Sequence, residues 1–289
     1  METPIYKDGA WRLDDPKLSY LTDEQVNAYL GLENTPSYSG AMHDAERQLI
    51  EKHKIEIIGM WPESIALIDL GSGPAEKTVV KAAEGKRRGK RVAFHPVDVN
   101  KRMLEIAGAN ARREGLEVFP HNCLIEDFER VIGEARKTAG AVYLNFGATH
   151  TNFPVSFLDK LGSAMKKGDF LYVSTQLRKK GEEAALVATY SSPLLEDFAL
   201  GVLRHAGFER GEVEWKPVFV KDTVEHSSIV KRVPPRLAAL GMKPGDRIVT
   251  HNSRKQTLGE FKEMLSQRFE PTVWTNGDGS FAIAVCRKK

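Results

Sequence analysis

Between residues 65 and 175 short apolar runs alternate with amphipathic stretches of helical length. The runs predict strands near 65–70, 91–97, 117–123, 140–146 and 169–175. Apolar residues recurring every three or four positions predict helices near 75–84, 100–113, 125–137 and 154–166. Strand and helix in strict alternation imply a parallel sheet, because parallel neighbours need a long crossover. Beyond Thr175 the pattern changes. Helical segments at 182–189 and 194–206 give way to alternating stretches at 212–220, 223–230 and 247–252. A helix over 258–269 then leads into 271–286, which reads as a hairpin turning on Gly277-Asp278-Gly279. The segment between the fifth strand and this hairpin is too long for a loop, so it predicts an inserted subdomain of mixed α and β structure. The expected organisation is an α/β sheet domain of residues 56–175 and 253–289 with a second subdomain of residues 1–55 and 176–252.

The chemistry concentrates where the first strand ends. Ile65-Ala-Leu-Ile-Asp69-Leu-Gly71-Ser72-Gly73 is an apolar run closing on a glycine turn, and the second strand ends in an acid, Asp98. Glycines let the backbone turn sharply and come close to a ligand, and a carboxylate at the next strand end can accept both hydroxyls of a ribose. Glu76 stands where a dinucleotide fingerprint has its third glycine. That disfavours a pyrophosphate and favours S-adenosylmethionine, whose amino-acid tail needs close backbone approach but no phosphate cradle.

Composition adds exclusions. The 289 residues are 41% hydrophobic, enough for an ordinary core, and 42 Lys and Arg against 39 Asp and Glu leave a formal charge of +3. The basic run Lys86-Arg87-Arg88-Gly89-Lys90-Arg91 lies in a helix-to-strand connection without interleaved aromatics, so it reads as a solvated loop and no nucleic-acid partner is expected. Cys123 and Cys286 are far apart and lack Cys-x-x-Cys spacing, which suggests neither a disulfide framework nor a zinc site and fits a reducing, cytoplasmic setting. The histidines show no ligand spacing, and no metal is expected. The first residues carry no basic-then-apolar signal and no run approaches the ~20 apolar residues of a membrane span, so no membrane partner is expected.

Several motifs together resemble the histidine-specific methyltransferase family. They are Leu70-Gly-Ser-Gly-Pro-Ala-Glu-Lys-Thr78, Pro96-Val-Asp-Val99, Gly147-Ala-Thr-His-Thr-Asn-Phe-Pro154, Tyr190, and Val273-Trp-Thr-Asn-Gly-Asp-Gly-Ser-Phe-Ala282. The similarity runs from about Ala45 to the C-terminus, and Gly-Ser-Gly-x-x-Glu-Lys-Thr is its most specific part. It implies a class I methyltransferase, a Rossmann-like parallel sheet finished by an antiparallel hairpin, with the inserted subdomain binding the substrate. The family includes enzymes that trimethylate the α-amine of histidine and fungal relatives acting on tryptophan derivatives.

Carried over residue by residue, the resemblance implies that Gly71, Ser72, Gly73 and Lys77 hold the methionine part of the cofactor, with Lys77 partnering its carboxylate, and that Asp98 holds the ribose. Glu126, Asp127 and Phe128 would lie beside the adenine, where an acid can accept the exocyclic amine and an aromatic can stack, and Asn145 and Gly147 would complete the cofactor set. Asn152 corresponds to the family's substrate asparagine; the alternative for it is a helix cap before Pro154. Tyr38 and Tyr190 resemble two tyrosines of the substrate pocket, and Ser253 a serine that approaches the substrate. Trp61 and Trp215 read as core.

The chain departs from the family at Thr250-His251-Asn252-Ser253, where His251 replaces a glutamate. Glu225 falls where the family has an apolar methionine, so the expectation is that the carboxylate has moved across the pocket to Glu225; the alternative is a solvent-facing position on an edge strand. His251, with Tyr38 and Tyr190, is the candidate group for taking the proton that a nitrogen must lose before it attacks. The expected activity is methyl transfer to the nitrogen of a small amine or amino acid, histidine-like or less strict. Two alternatives are an aminopropyl transfer of the nicotianamine-synthase type, which shares a Gly-Ser-Gly-Pro turn, and a non-catalytic protein that binds S-adenosylmethionine.

Overall fold

The computed structural model describes residues 2–33 and 43–289. In chain order it runs β1 (Ile5–Lys7), β2 (Ala10–Arg12), α1 (Asp23–Glu33), α2 (Ala45–Gly59), β3 (Ser64–Leu70), α3 (Glu76–Arg87), β4 (Arg91–Asp98), α4 (Lys101–Arg113), β5 (Glu117–Val118), β6 (His121–Asn122), α5 (Phe128–Ala135), β7 (Ala141–Gly147), α6 (Val155–Ala164) and β8 (Phe170–Gln176). It continues through α7 (Glu183–Ala188), α8 (Pro193–His205), β9 (Val213–Trp215), β10 (Val218–Val220), β11 (Thr223–Val230), α9 (Pro235–Ala238), β12 (Arg247–Arg254), α10 (Leu258–Ser266), β13 (Phe269–Thr275) and β14 (Phe281–Lys288). Contacts divide these elements into two compact units, one from 2–33 with Arg178–Lys255, the other from 43–177 with Gln256–Lys289.

The larger unit is a sheet in the order β13-β14-β8-β7-β3-β4-β5, with β6 also beside β4. β3, β4, β7 and β8 run parallel, and β14 lies antiparallel between β8 and β13. The final hairpin thus completes a parallel sheet, as the class I methyltransferase pattern requires. Alternation along β3 explains the layering. Ile65 and Leu67 point to a cluster with Ile50, Ile57, Val79, Ala107 and Tyr172 on α2, α3, α4 and β8. Ala66 and Ile68 point the other way, to Phe128, Leu161 and Phe261 on α5, α6 and α10. The expected strand at 117–123 is broken into β5 and β6 because Pro120 has no N–H to give a ladder. From β3 the chain crosses first to β4 on one side and later to β7 on the other, so the strand order reverses at β3 and opens a crevice at the strand C-termini.

α2 belongs to this unit, whereas a boundary at residue 56 was expected. The reason is its apolar face: Leu49, Ile50, Ile57 and Ile58 are buried with Ile65, Leu67 and Ile283. The chain leaves the unit after Leu177 and re-enters at Gln256, where these two residues form a parallel β-bridge.

The smaller unit carries a second sheet, β1-β2-β12-β11-β10, with β9 also beside β11. β2 lies parallel to β12, with Trp11 opposite Ile248, and the other pairs are antiparallel. Its core gathers Trp11, Leu13, Leu18, Leu200, Leu203, Phe208 and Ile248. A smaller cluster joins Leu32, Leu186, Tyr190, Leu195 and Val224, with Trp215 and Phe219 packed against it. Cys123 and Cys286 are free thiols. Among the described residues no helix is long and apolar enough to cross a membrane, and no group of three His, Cys, Asp or Glu could hold a metal ion.

Candidate functional site

The crevice at β3 is shaped by the glycine turn. Gly71 has φ +70° and Gly73 φ +49°, values that suit glycine. The N–H groups of Gly71 and Ser72 both donate to the Val97 carbonyl at 2.9 Å, lacing the turn to β4. Gly73 N–H donates to Asp98 Oδ2 at 3.0 Å, and Asn100 N–H to Oδ1 at 2.9 Å. Burial pushes the Asp98 carboxyl pKa up, against the pull of these backbone donors. A Cβ on Gly71 would stand 3.1 Å from Ile125 Cδ1 and 3.4 Å from Thr149 Cγ2, so a side chain there would be crowded as well as strained by the positive φ. The Ser72 hydroxyl is buried without a hydrogen-bond partner among the described residues. An orphaned hydroxyl, close backbone and a fixed carboxylate fit a cofactor that carries ribose hydroxyls and an amino-acid tail, and so fit S-adenosylmethionine.

Beneath the turn lies a buried polar chain that the sequence did not reveal. Asn145 Nδ2 donates to Asp69 Oδ1 at 2.6 Å, and the fully buried Lys81 donates to Asn145 Oδ1 at 2.6 Å. Lys81 Nζ also sits 3.3 Å from the centroid of the Tyr172 ring, and the Tyr172 hydroxyl donates to Glu46 Oε1 at 2.9 Å. Glu46 ends the chain against the Lys77 ammonium at 2.5 Å. Burial raises the Asp69 pKa and lowers that of Lys81. For Glu46 burial pushes up, but the Lys77 ammonium prevails and holds it at about 2. Two of the expected cofactor residues have protein partners here. The Lys77 ammonium is engaged by Glu46, and the Asn145 side chain is committed to Asp69 and Lys81 inside the unit. The one available signal was the four-residue step from Lys77 to Lys81, which sets both on one face of α3.

The turn that carries Glu126 and Asp127 begins at Ile125, whose side chain stands against Gly71. Glu126 and Asp127 lie exposed on a 3₁₀ turn before α5, while Gly147, at φ +47°, ends β7 beside a bulge. Phe128 is not free to stack on an adenine. Its ring is buried in the core, edge-on to Phe157 at 5.4 Å, because it begins the apolar face of α5.

Asn152 closes the 3₁₀ turn Ala148–Asn152 of the larger unit. It is not a helix cap: Pro154 holds the cap position of α6, which has no side-chain cap bond. The remaining expected substrate residues lie in the smaller unit, except Tyr38, which is outside the described residues. The Tyr190 hydroxyl reaches Ser253 Oγ at 3.5 Å, and its ring meets that of His226 edge-on at 4.9 Å. His226 in turn lies opposite His251 in the β11–β12 register, with ring centroids 5.6 Å apart. Ser19 Oγ stands 3.2 Å from His251 Nδ1. Burial pulls His251 down to about 4 and His226 well below the usual histidine value, so both rings are neutral at pH 7.

Glu225 does not join this group. Side chains alternate along β11, so the register that faces His226 to His251 turns Glu225 to the other side of the sheet. There its carboxylate meets Arg12 at 2.7 Å and is also bonded by Arg247. The expected relocation of the family's acid to Glu225 is therefore corrected. The residue that sequence reasoning missed is His226, the neighbour whose parity places it on the Tyr190 side.

A class I sheet with a glycine turn clasped to an acid at the next strand end defines an S-adenosylmethionine-dependent methyltransferase. The family model described as "Histidine-specific methyltransferase, SAM-dependent" matches residues 34–288, and the chain belongs to that family. It is similar to the histidine N-alpha-methyltransferase of Mycolicibacterium smegmatis, 30% identical over 83% of this chain and 80% of that protein. The enzyme of the same name from Mycobacterium tuberculosis is 29% identical over 52% of this chain, and the match spans about half of that relative, 46%. Among solved structures, the PH0226 protein of Pyrococcus horikoshii OT3 shares the fold with a TM-score of 0.51 at 13% identity, over 93% of this chain and 100% of that one.

Proposed function

We propose that this chain transfers a methyl group from S-adenosylmethionine to a nitrogen of a small amine or amino acid in the cytoplasm. The observation that carries the reading is the Gly73 N–H bonded to Asp98, which fixes the turn and the acid as one rigid piece. When bound, the cofactor supplies an electrophilic methyl on a sulfonium, open to in-line displacement by a neutral nitrogen. Asp98 would accept the ribose hydroxyls with the lone pairs its backbone donors leave over, and Ser72 would gain the partner its buried hydroxyl lacks. Glu46 holds Lys77 at the first turn of α3, so a carboxylate arriving at that ammonium would share it with Glu46. Tyr190 and Ser253 would orient the acceptor. His251 is neutral and able to take a proton, but at about 4 it is a weak base, so the acceptor nitrogen must arrive largely unprotonated. Positioning and exclusion of water supply most of the acceleration in such a displacement.

The test is a screen of free amino acids and amines with S-adenosylmethionine, read by mass spectrometry. Acceptors gaining one to three methyl increments together with S-adenosylhomocysteine support the reading. Methylthioadenosine as by-product would replace it with aminopropyl transfer.

A further inference from the structure

Lys81 stands in the middle of the polar chain beneath the glycine turn, where α2, α3, β3, β7 and β8 meet. It lies one turn beyond Lys77 on α3 and is wholly buried. Its ammonium reaches neither acid of the chain directly. Asn145, opposite Asp69 in the β3–β7 register, accepts from Lys81 and donates to Asp69, each at 2.6 Å. On the other side the Tyr172 ring stands between Lys81 and Glu46, with the ammonium 3.3 Å from the ring centroid and the hydroxyl donating to Glu46 Oε1 at 2.9 Å. Enclosing an ammonium is costly unless negative charge accompanies it, and Glu46 and Asp69 supply that charge here. Glu46 lies at the crevice end of the sheet: a Cβ on Gly147, the last residue of β7, would stand 3.9 Å from Glu46 Oε1. Glu46 Oε2 holds Lys77 at 2.5 Å, and the Lys77 side chain is 29% exposed where that of Glu46 is 3%. Lys77 can thus be reached from solvent, but its charge is already matched by Glu46. A second carboxylate arriving there would meet a neutral pair unless another cation offsets Glu46. Lys81 is that cation. Its charge acts on Glu46, and an ammonium on the ring face polarises the phenol and strengthens its hydrogen bond to Glu46 Oε1. Glu46, held from that side as well, leans less on Lys77.

We propose that Lys81 is a positioning residue for the methionine end of the cofactor: acting through Tyr172 and Glu46, it supplies the second positive charge that leaves Lys77 able to receive the cofactor's carboxylate. This rests on the reading of the crevice as the S-adenosylmethionine site, with Lys77 at its carboxylate.

The test is calorimetry on the full chain with two ligands that differ at the methionine end: S-adenosylhomocysteine, which carries the amino-acid tail, and methylthioadenosine, which lacks it. Lys81→Met should weaken S-adenosylhomocysteine about tenfold and leave methylthioadenosine within about twofold of the wild type. Adding Glu46→Gln to Lys81→Met removes the uncompensated carboxylate and should restore most of the lost affinity. A lysine that only supports the fold would instead leave the double variant as weak as the single one, or weaker. Equal weakening of both ligands, unchanged S-adenosylhomocysteine affinity in a folded Lys81→Met protein, or no recovery in the double variant overturns the inference. So does a wild type that binds the two ligands equally. If the melting curve shows that Lys81→Met does not fold, Tyr172→Phe cuts the same link with the ammonium in place. A loss confined to S-adenosylhomocysteine then supports the inference, and unchanged affinity overturns it. Failure of both ligands to bind the wild type would instead count against the cofactor reading, which separates the two.

Discussion

A carboxylate that already accepts two backbone N–H groups is oriented before any ligand arrives, and Asp98 is held in this way by Gly73 and Asn100. Asp98→Ala should therefore weaken S-adenosylmethionine binding by about 1–3 kcal/mol, measured by calorimetry. Unchanged affinity would remove Asp98 from the cofactor site. His251 yields a pH prediction. Its folded pKa of about 4 lies below an unfolded value of about 6.5, so the folded form binds the proton less readily. The associated stability is fully present above pH ~6.5 and is lost as pH falls toward ~4, of order 3 kcal/mol in total. Melting temperatures across that window should drop in the wild type and drop less in His251→Gln. A parallel decline in both would mean that His251 is not the group responsible. At this scale the sequence was informative where neighbours along the chain make the site, as in Gly71-Ser72-Gly73. It was silent where partners come from afar: Tyr172 and Glu46 are 126 positions apart, and no local pattern marks a lysine such as Lys81 as buried.

Secondary elements decide which side of a layer a functional group faces. In β11 a single step separates Glu225, locked between two arginines, from His226, beside Tyr190. The sequence announced the strand but not its parity relative to β12, since both faces carry polar residues and a bulge interrupts the register after His226. Because Glu225 is a buried ion-pair partner, Glu225→Ala should destabilise the fold by about 3 kcal/mol in denaturant titrations, with S-adenosylmethionine affinity per folded molecule unchanged. The contrasting element is the turn before α6. Asn152 makes no cap bond there, so Asn152→Ala should alter melting by less than about 0.5 kcal/mol while lowering turnover. Loss of about 1 kcal/mol of stability with normal turnover would restore the capping explanation.

At the scale of the whole molecule, the alternation of strand and helix was legible because each apolar run of the larger unit is buried on both faces and carries its own signal. The smaller unit was legible only as a change of pattern. Its sheet is assembled from two stretches of chain, with β2 lying along β12, and its apolar core joins Trp11, Leu13 and Leu18 to Leu200 and Ile248. A fragment of residues 178–255 should accordingly fail to give a cooperative melt by circular dichroism, whereas adding residues 2–33 should raise its ordered content. Equal melting of the two would show that the early segment is dispensable to that core.

The bridge between Leu177 and Gln256 pins the two ends of the excursion side by side. A polymer whose ends are stapled together transmits almost nothing about its contour length to the staple: doubling the intervening chain costs only about 0.6 kcal/mol of closure entropy. Extra length between the two ends therefore costs the scaffold little in closure entropy, provided it falls in a surface turn and leaves in place the pairing of β12 with β2 and the packing of Leu200 and Ile248 on Trp11.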